Sequence, residues 1–225
     1  DDYKGEVIHP LFWPENLEYK NKKVIIIGSG ATAMTLVPSM ADRGADVTMV
    51  QRSPTYVVSA PDKDKIANAL RKILPEKWAY AITRFKNIKL QRFMYDRTRI
   101  APEKVKAMLL KMVRKELGPD YDVDKHFTPS YNPWDQRMCL VPNSDLFQSI
   151  KSGSAKVVTE HIECFTEKGL KLANGDELEA DIIVTATGLK LTVMSGVDFL
   201  VDGKKVHFPD TFSYKGMMYS DVPNM

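Results

Sequence analysis

Four consecutive β-branched apolar residues, Val24, Ile25, Ile26 and Ile27, interrupt the mixed pattern near the start of the chain. A run apolar at every position suits a strand buried on both faces of a parallel sheet. Gly28-Ser29-Gly30 stops the run, and residues 31–36 (ATAMTL) open a helix. A second strand, Asp46 to Val50 (DVTMV), is entered through Arg43-Gly44-Ala45. Strand, helix and strand in this order predict a parallel βαβ unit. Residues 156–159, 162–166 and 170–173 read as short strands, with Asn174-Gly175 as a hairpin turn. They form a meander that returns to the sheet through residues 181–185 (DIIVT), a buried strand ending in Ala186-Thr187-Gly188. Asn143-Ser144-Asp145 caps a short helix through Ile150, which Gly153 ends. Asp202-Gly203 marks one more hairpin.

Between Asp62 and Leu117 the apolar period becomes helical. Ile66, Leu70, Ile73 and Leu74 make one stripe; Ile82, Phe85, Ile88 and Phe93 make a second. Val105, Met108, Leu109, Met112, Val113 and Leu117 make a third, at helical spacing. All three stripes are expected to pack in a core. Pro75 and Pro102 start new segments, and Gly118-Pro119 ends the last. Residues 120–142 show little periodicity and read as a long loop, a feature often functional in compact domains. Residues 3–14 (YKGEVIHPLFWP) read as an extended lead-in, because Pro10 and Pro14 exclude helix. Phe12 and Trp13 are expected to pack against the domain.

Composition changes this picture in two respects. With 44% hydrophobic and 27% charged residues, the 225-residue chain can bury a core, and no apolar run reaches the length of a membrane span. The two cysteines, Cys139 and Cys164, have no C-x-x-C or metal-ligand spacing. They point to reduced thiols in a cytoplasmic protein, to no metal site, and away from a disulfide reductase. The net charge of +3 conceals an asymmetry. Residues 62–117 hold sixteen Lys or Arg against six Asp or Glu, a net of +10, and the remainder carries −7. Such a basic insert is either a solvated helical cap or a surface that attracts an anionic cofactor or lipid headgroups in a peripheral membrane contact. Nucleic acid is not the expected partner, because no recognition motif accompanies the charge.

The chemistry starts at the glycines. Gly28-x-Gly30-x-x-Ala33 lies between a strand and a helix. Gly28 allows the tight turn, Gly30 lets a pyrophosphate approach the backbone, and Ala33 lets helix and strand pack closely. The pyrophosphate is then expected on the free N–H groups of this turn and the first helical turn, with Ser29, Ala31 and Thr32 completing the cradle. At the second strand end a site for NAD carries an acidic residue; this chain has Gln51-Arg52-Ser53-Pro54. Arg52 can pair with a 2′-phosphate and Ser53 can donate to it, so Gln51, Arg52 and Ser53 point to NADPH. The plainer reading of Arg52 is a solvated surface charge. The expected fold is α/β: a Rossmann-like FAD/NAD(P)-binding domain, a parallel sheet with a β-meander and a helical insert.

Two further stretches carry a resemblance. Tyr3-x-Gly5-x-x-x-His9-x-x-x-Trp13-Pro14 resembles the fingerprint F-x-G-x-x-x-H-x-x-x-W-P of Baeyer–Villiger monooxygenases, with Tyr in the first position. Flavin-containing monooxygenases carry a similar motif without the Trp-Pro ending. Tyr131-Asn132-Pro133-Trp134-Asp135-Gln136-Arg137 is similar to the loop that delivers the active-site arginine in that family, above all in its ethionamide-activating branch. Ala186-Thr187-Gly188 looks like the motif at which two-dinucleotide flavoproteins cross between domains, and residues 211–225 resemble the segment leading back to the flavin domain.

The resemblance implies a class B flavoprotein monooxygenase, of which this chain, running from Asp1 to Met225, is the NADPH domain cut from a longer protein. Residues 1–20 would be the interdomain linker, 21–60 and 119–190 the NADPH-binding domain, 61–118 the helical insert, and 191–225 a hairpin segment returning to the FAD domain. His9 would be a hydrogen-bonding hinge residue rather than a metal ligand. FAD would be held mainly by segments outside this stretch. In such an enzyme NADPH reduces FAD, and a C4a-peroxyflavin formed with O2 attacks a ketone or a sulfur compound. Arg137 would keep the peroxide anionic, a role that suits a guanidinium, which never loses its charge. Gln136 and residues Ala186, Thr187 and Gly188 would line the cofactor. The plainer reading of Arg137 is a structural arginine paired with Asp135 or another carboxylate. Two alternatives stay open: an N- or S-oxygenating flavin-containing monooxygenase, and a non-catalytic nucleotide-sensing domain of a transport regulator.

Overall fold

The computed structural model describes residues 3–190 and 196–223. One compact unit runs to Thr187 and a second starts at Gly188. In chain order the first holds β1 (Glu6–Ile8), β2 (Lys23–Ile27), α1 (Ala31–Asp42), β3 (Asp46–Gln51), β4 (Tyr56–Ala60), α2 (Lys65–Ile73), α3 (Glu76–Ile100) and α4 (Pro102–Leu117). It continues with α5 (Val123–Phe127), β5 (Met138–Pro142), α6 (Asp145–Lys151), β6 (Ala155–Thr159), β7 (Ile162–Thr166), β8 (Gly169–Leu172), β9 (Glu177–Glu179) and β10 (Ile182–Thr185).

Five strands form a parallel sheet in the order β1-β10-β2-β3-β6. Successive side chains of a strand point to opposite faces, and here both faces are covered. Val24 and Ile26, Val47 and Met49, Ile182 and Val184 face a core shared with Ala33, Val37 and Met40 of α1 and with Leu146 and Phe147 of α6. Ile25, Val50 and Ile183 face the other way, onto Leu170 and Leu172 of the antiparallel sheet β7-β8-β9. This is the α/β architecture with a meander that the apolar pattern predicts. Chain order runs outward in one direction from β2 to β3 and β6, while β10, the last strand of this sheet in sequence, returns to the other side of β2 and pairs with β1, the first. The crevice outside the carboxyl ends of β2 and β10 is thus a topological switch point, where ligands of open α/β sheets bind.

Three sequence expectations need correction. The lead-in is more than an extended segment: β1 pairs with β10 as an edge strand of the main sheet. Its motif residues dock it there. Tyr3 donates to the Ala180 carbonyl at 2.9 Å and stands edge-on to Phe165. Gly5 can carry no side chain, since a Cβ would meet the Asp181 carbonyl oxygen at 2.7 Å. His9 Nδ1 accepts from the Leu11 N–H and caps a single 3-10 turn. Trp13 packs on Tyr19, but Phe12 is 76% exposed. The second correction concerns the insert. Of its stripes only part of the third is buried, through Val105, Leu109, Val113 and Leu117, while Ile66, Ile73, Ile82, Phe85, Ile88 and Phe93 face solvent. Periodicity reports one apolar face per helix and is silent on whether a second surface covers it.

The third correction is in the long loop, which contains α5 and ends in β5. Strand β5 pairs in parallel with β4, Tyr56 opposite Met138 and Ala60 opposite Pro142, in a small sheet of its own. Ser144 does not cap α6 with its side chain; it takes a left-handed conformation, and its Oγ lies 2.6 Å from Ser59 Oγ. The second unit holds two hairpins, β11 (Leu200–Val201) with β12 (Lys204–Lys205), and β13 (Ser213–Tyr214) with β14 (Met218–Tyr219). Asp202-Gly203 turns the first as expected. Phe208 stands edge-on to Phe199 and to Tyr219, each at 5.1 Å. Residues 191–195 of the expected return segment lie outside the described residues.

Candidate functional site

The turn after β2 has the geometry its glycines predict. Gly28 takes φ +130° and donates its N–H to the Val50 carbonyl at 2.8 Å. A Cβ there would sit 2.4 Å from the Ala186 carbonyl oxygen, so the ends of β2 and β10 approach as closely as they do only through a glycine. Gly30 is the N-cap of α1 and offers no side chain to its N–H groups; the first turn carries no acidic residue. Ala33 is fully buried under the helix, while Ala31 and Thr32 stay exposed. The helix start therefore presents free donors and the positive end of its dipole.

A cleft of about 430 Å³ opens at this edge of the sheet. It is lined by Gly28 and Ser29 after β2, Arg52 and Ser53 after β3, Glu160 and His161 after β6, and Thr187 after β10. Each comes from the carboxyl end of a parallel strand. Glu160 and His161 were not singled out from the sequence, although the strand-end rule applied to residues 156–159 points directly at them. The cleft holds the backbone through small polar contacts. Ser29 Oγ lies 3.4 Å from Thr55 Oγ1 and can donate to the Ser53 carbonyl at the same distance.

Gln51 requires a correction. Its side chain is 2% exposed and turned inward, where the amide nitrogen donates to the His126 carbonyl at 2.7 Å and to Thr159 Oγ1 at 2.9 Å. Both amide protons are used inside the protein, so Gln51 ties α5 to the sheet and leaves the cleft to Arg52 and Ser53. His126 Nδ1 also meets Thr159 Oγ1 at 2.8 Å, and burial holds the imidazole below its ordinary pKa.

Arg137 arrives from far along the chain. Pairing of β5 with β4 sets the residue before Met138 beside the residue before Tyr56, next to the glycine turn. A Cβ on Gly30 would lie 3.2 Å from Arg137 Nη1, so the guanidinium rests over the turn in a close approach that any larger residue there would push back by a few tenths of an ångström. The preceding loop is held from three sides. Tyr56 Oη donates to the Tyr131 carbonyl at 2.7 Å, Lys106 to the Pro129 carbonyl at 3.1 Å, and Arg99 to both the Pro133 carbonyl and Asp135. Burial pushes the Tyr56 phenol up to about 12, so this tether stays protonated. Asp135 pairs with Arg99 at 2.7 Å rather than with Arg137. Gln136 is exposed in the same loop, its backbone bridged to Pro133. Ala186 is buried beside Gly28, and Gly188, at φ +99°, opens the second unit.

No protein-family model matches the chain. Individual proteins do. FAD-containing monooxygenase EthA of Mycobacterium tuberculosis is 52% identical over 226 residues, which cover 100% of this chain and 46% of that protein. Probable FAD-binding monooxygenase AlmA of Acinetobacter baylyi is 51% identical over 226 residues, 100% of this chain and 45% of that protein. Over its whole length the chain is similar to these FAD-containing monooxygenases. It spans about half the length of the curated relatives it matches. Among solved structures, OTEMO in complex with FAD and NADP superposes with a TM-score of 0.63 at 16% identity, over 84% of this chain and 43% of that one. Cyclohexanone monooxygenase with ε-caprolactone bound gives 0.62 at 20% identity, over 84% of this chain and 44% of that one. At such identities the likeness is one of fold. The curated relatives are monooxygenases, as the motif from Tyr3 to Pro14 leads one to expect.

Proposed function

We propose that this chain is the NADPH-binding part of an FAD-dependent monooxygenase that inserts oxygen from O2 into ketones or oxidises sulfur compounds. The observation that carries the reading is the Arg137 guanidinium against Gly30 at the uncapped start of α1. A cation beside the positive end of a helix dipole is unfavourable until an anion joins them. A dinucleotide phosphate does so, and the same cation then stands where negative charge develops in oxygen transfer. Arg52 and Ser53 take the 2′-phosphate; Ser29, Gly30, Ala31 and Thr32 take the pyrophosphate; Ala186 and Thr187 border the nicotinamide side. FAD, when bound, supplies electron acceptance and oxygen activation. Among the described residues one glycine-rich strand-to-helix turn serves one dinucleotide, so FAD belongs mainly to the remaining half of the protein. No helix of the described residues is long and apolar enough to cross a membrane. The protein works in the cytoplasm, with its basic insert in peripheral contact with a membrane.

Calorimetric titration of the chain with NADPH and with NADH, for the wild type and for Arg52→Ala, tests the site. Losing a charge-assisted phosphate contact costs about 1.5–3 kcal/mol, so NADPH binding weakens by that amount and NADH binding is unchanged. Equal affinity for both nucleotides in the wild type overturns the assignment. Product analysis of the full-length protein on a ketone, a thioether and an amine tests the chemistry; oxidation of the amine alone overturns it.

A further inference from the structure

The outer face of α3 takes no part in the cleft. Over 25 residues, about 37 Å of helix at 1.5 Å per residue, only Ala79 and Thr98 are buried against the described residues. Trp78, Ile82, Phe85, Phe93 and Ile100 recur at helical intervals and share one side of it, each between 42% and 75% exposed. An exposed apolar strip of this length marks an interaction surface. Its charges identify the partner. Helix α3 carries seven Lys or Arg against Glu76 and Asp96. The cations lie along the rings: Lys89 Nζ is 5.6 Å from the centre of Phe85, and the Arg97 guanidinium 5.0 Å from Phe93. Their stems cover apolar surface while their heads reach outward.

A second copy would bring one insert of +10 onto another. A protein partner seated on the strip would have to desolvate Lys89 and Arg92, which lie within it. A bilayer surface accepts both features, rings at the acyl boundary and cations among anionic headgroups. We propose that α3 lies flat on an anionic lipid bilayer, inserting Trp78, Ile82, Phe85, Phe93 and Ile100 and setting Lys89, Arg92 and Arg97 against headgroup phosphates. This rests on the membrane contact proposed above and gives it a face and a lipid charge.

The test is sedimentation of the full-length, flavin-loaded protein with vesicles of phosphatidylcholine alone or mixed with phosphatidylglycerol. Two variants accompany it, Phe85→Glu/Phe93→Glu and Lys89→Glu/Arg92→Glu, with melting temperature and NADPH-dependent turnover as controls for folding. The wild type is expected to sediment with the anionic vesicles only and to be released by salt. Each variant should bind at least about tenfold more weakly while turning over normally. Anionic binding that both variants retain overturns the assignment to α3 and leaves the contact to another part of the insert. Absence of binding to either vesicle overturns the face and the membrane contact together. Equal binding to neutral vesicles removes the headgroup role.

Discussion

Gln51 and Arg52 are neighbours with opposite tasks, and substitution separates them. Gln51→Ala leaves the His126 carbonyl and Thr159 without their donor, so chemical denaturation should show about 1–3 kcal/mol lost stability. NADPH affinity of the folded protein should stay within about twofold. Gly28→Ala is expected to be more severe, since it asks an L-residue to hold φ +130° against a carbonyl at 2.4 Å. His126 gives the site's surroundings a pH dependence. Burial favours its neutral form in the folded protein, with Lys125 adding to the effect. The unfolded chain then binds the proton more readily. This contribution is intact above roughly pH 6.5 and is lost as the pH falls below it. Melting temperatures recorded between about pH 7.5 and 5.5 should fall less steeply for His126→Asn than for the wild type. At this scale the sequence was informative where backbone shape is at stake. Gly28, Gly30 and Ala33 announce their roles by size alone. It was misleading at Gln51, because whether a polar side chain points outward or inward depends on α5, which arrives 75 residues later.

Among the elements, the insert shows the difference between an amphipathic helix and a buried one. Leu109 of α4 is 5% exposed and packs with Tyr56 and Val105; Ile82 of α3 is 42% exposed. Leu109→Ala should cost about 2–4 kcal/mol in denaturant melts, and Ile82→Ala less than about 0.5 kcal/mol. The two helices read alike in sequence because period reveals a face and not its cover. Strand β4 was not singled out, although Tyr56, Val57 and Val58 make a β-branched and aromatic run; it stands outside the main sheet. Edge strand β1 was hidden by Pro10 and by its brevity. Its place depends on pairing with β10, across most of the chain's length.

For the whole molecule, the division of labour with the other half of the relatives' length predicts a specific behaviour. The isolated chain should bind NADPH weakly and consume none in the presence of a ketone and O2, while the full-length protein consumes it. Absorbance at the nicotinamide band measures both, and steady consumption by the isolated chain would falsify the assignment of FAD to the missing half. The overall α/β plan was readable from one strand, one glycine turn and one meander, because those features are local. The position of Arg137 was not. It depends on β4 and β5 meeting side by side, and that pairing also marks a cutting line for anyone recombining such enzymes. The pair brackets the excursion between Ala60 and Met138, whose Arg99 and Lys106 hold the Arg137 loop, so foreign inserts can be exchanged within it only where those two tethers are kept. The strand's phase is another matter. Deleting a single residue from Met138–Pro142 advances the whole return stroke by one position, carries Arg137 about 3.3 Å along the strand and turns it to the opposite side. Chimeras should therefore tolerate changes of cargo that keep both tethers and fail on single-residue errors at the seam.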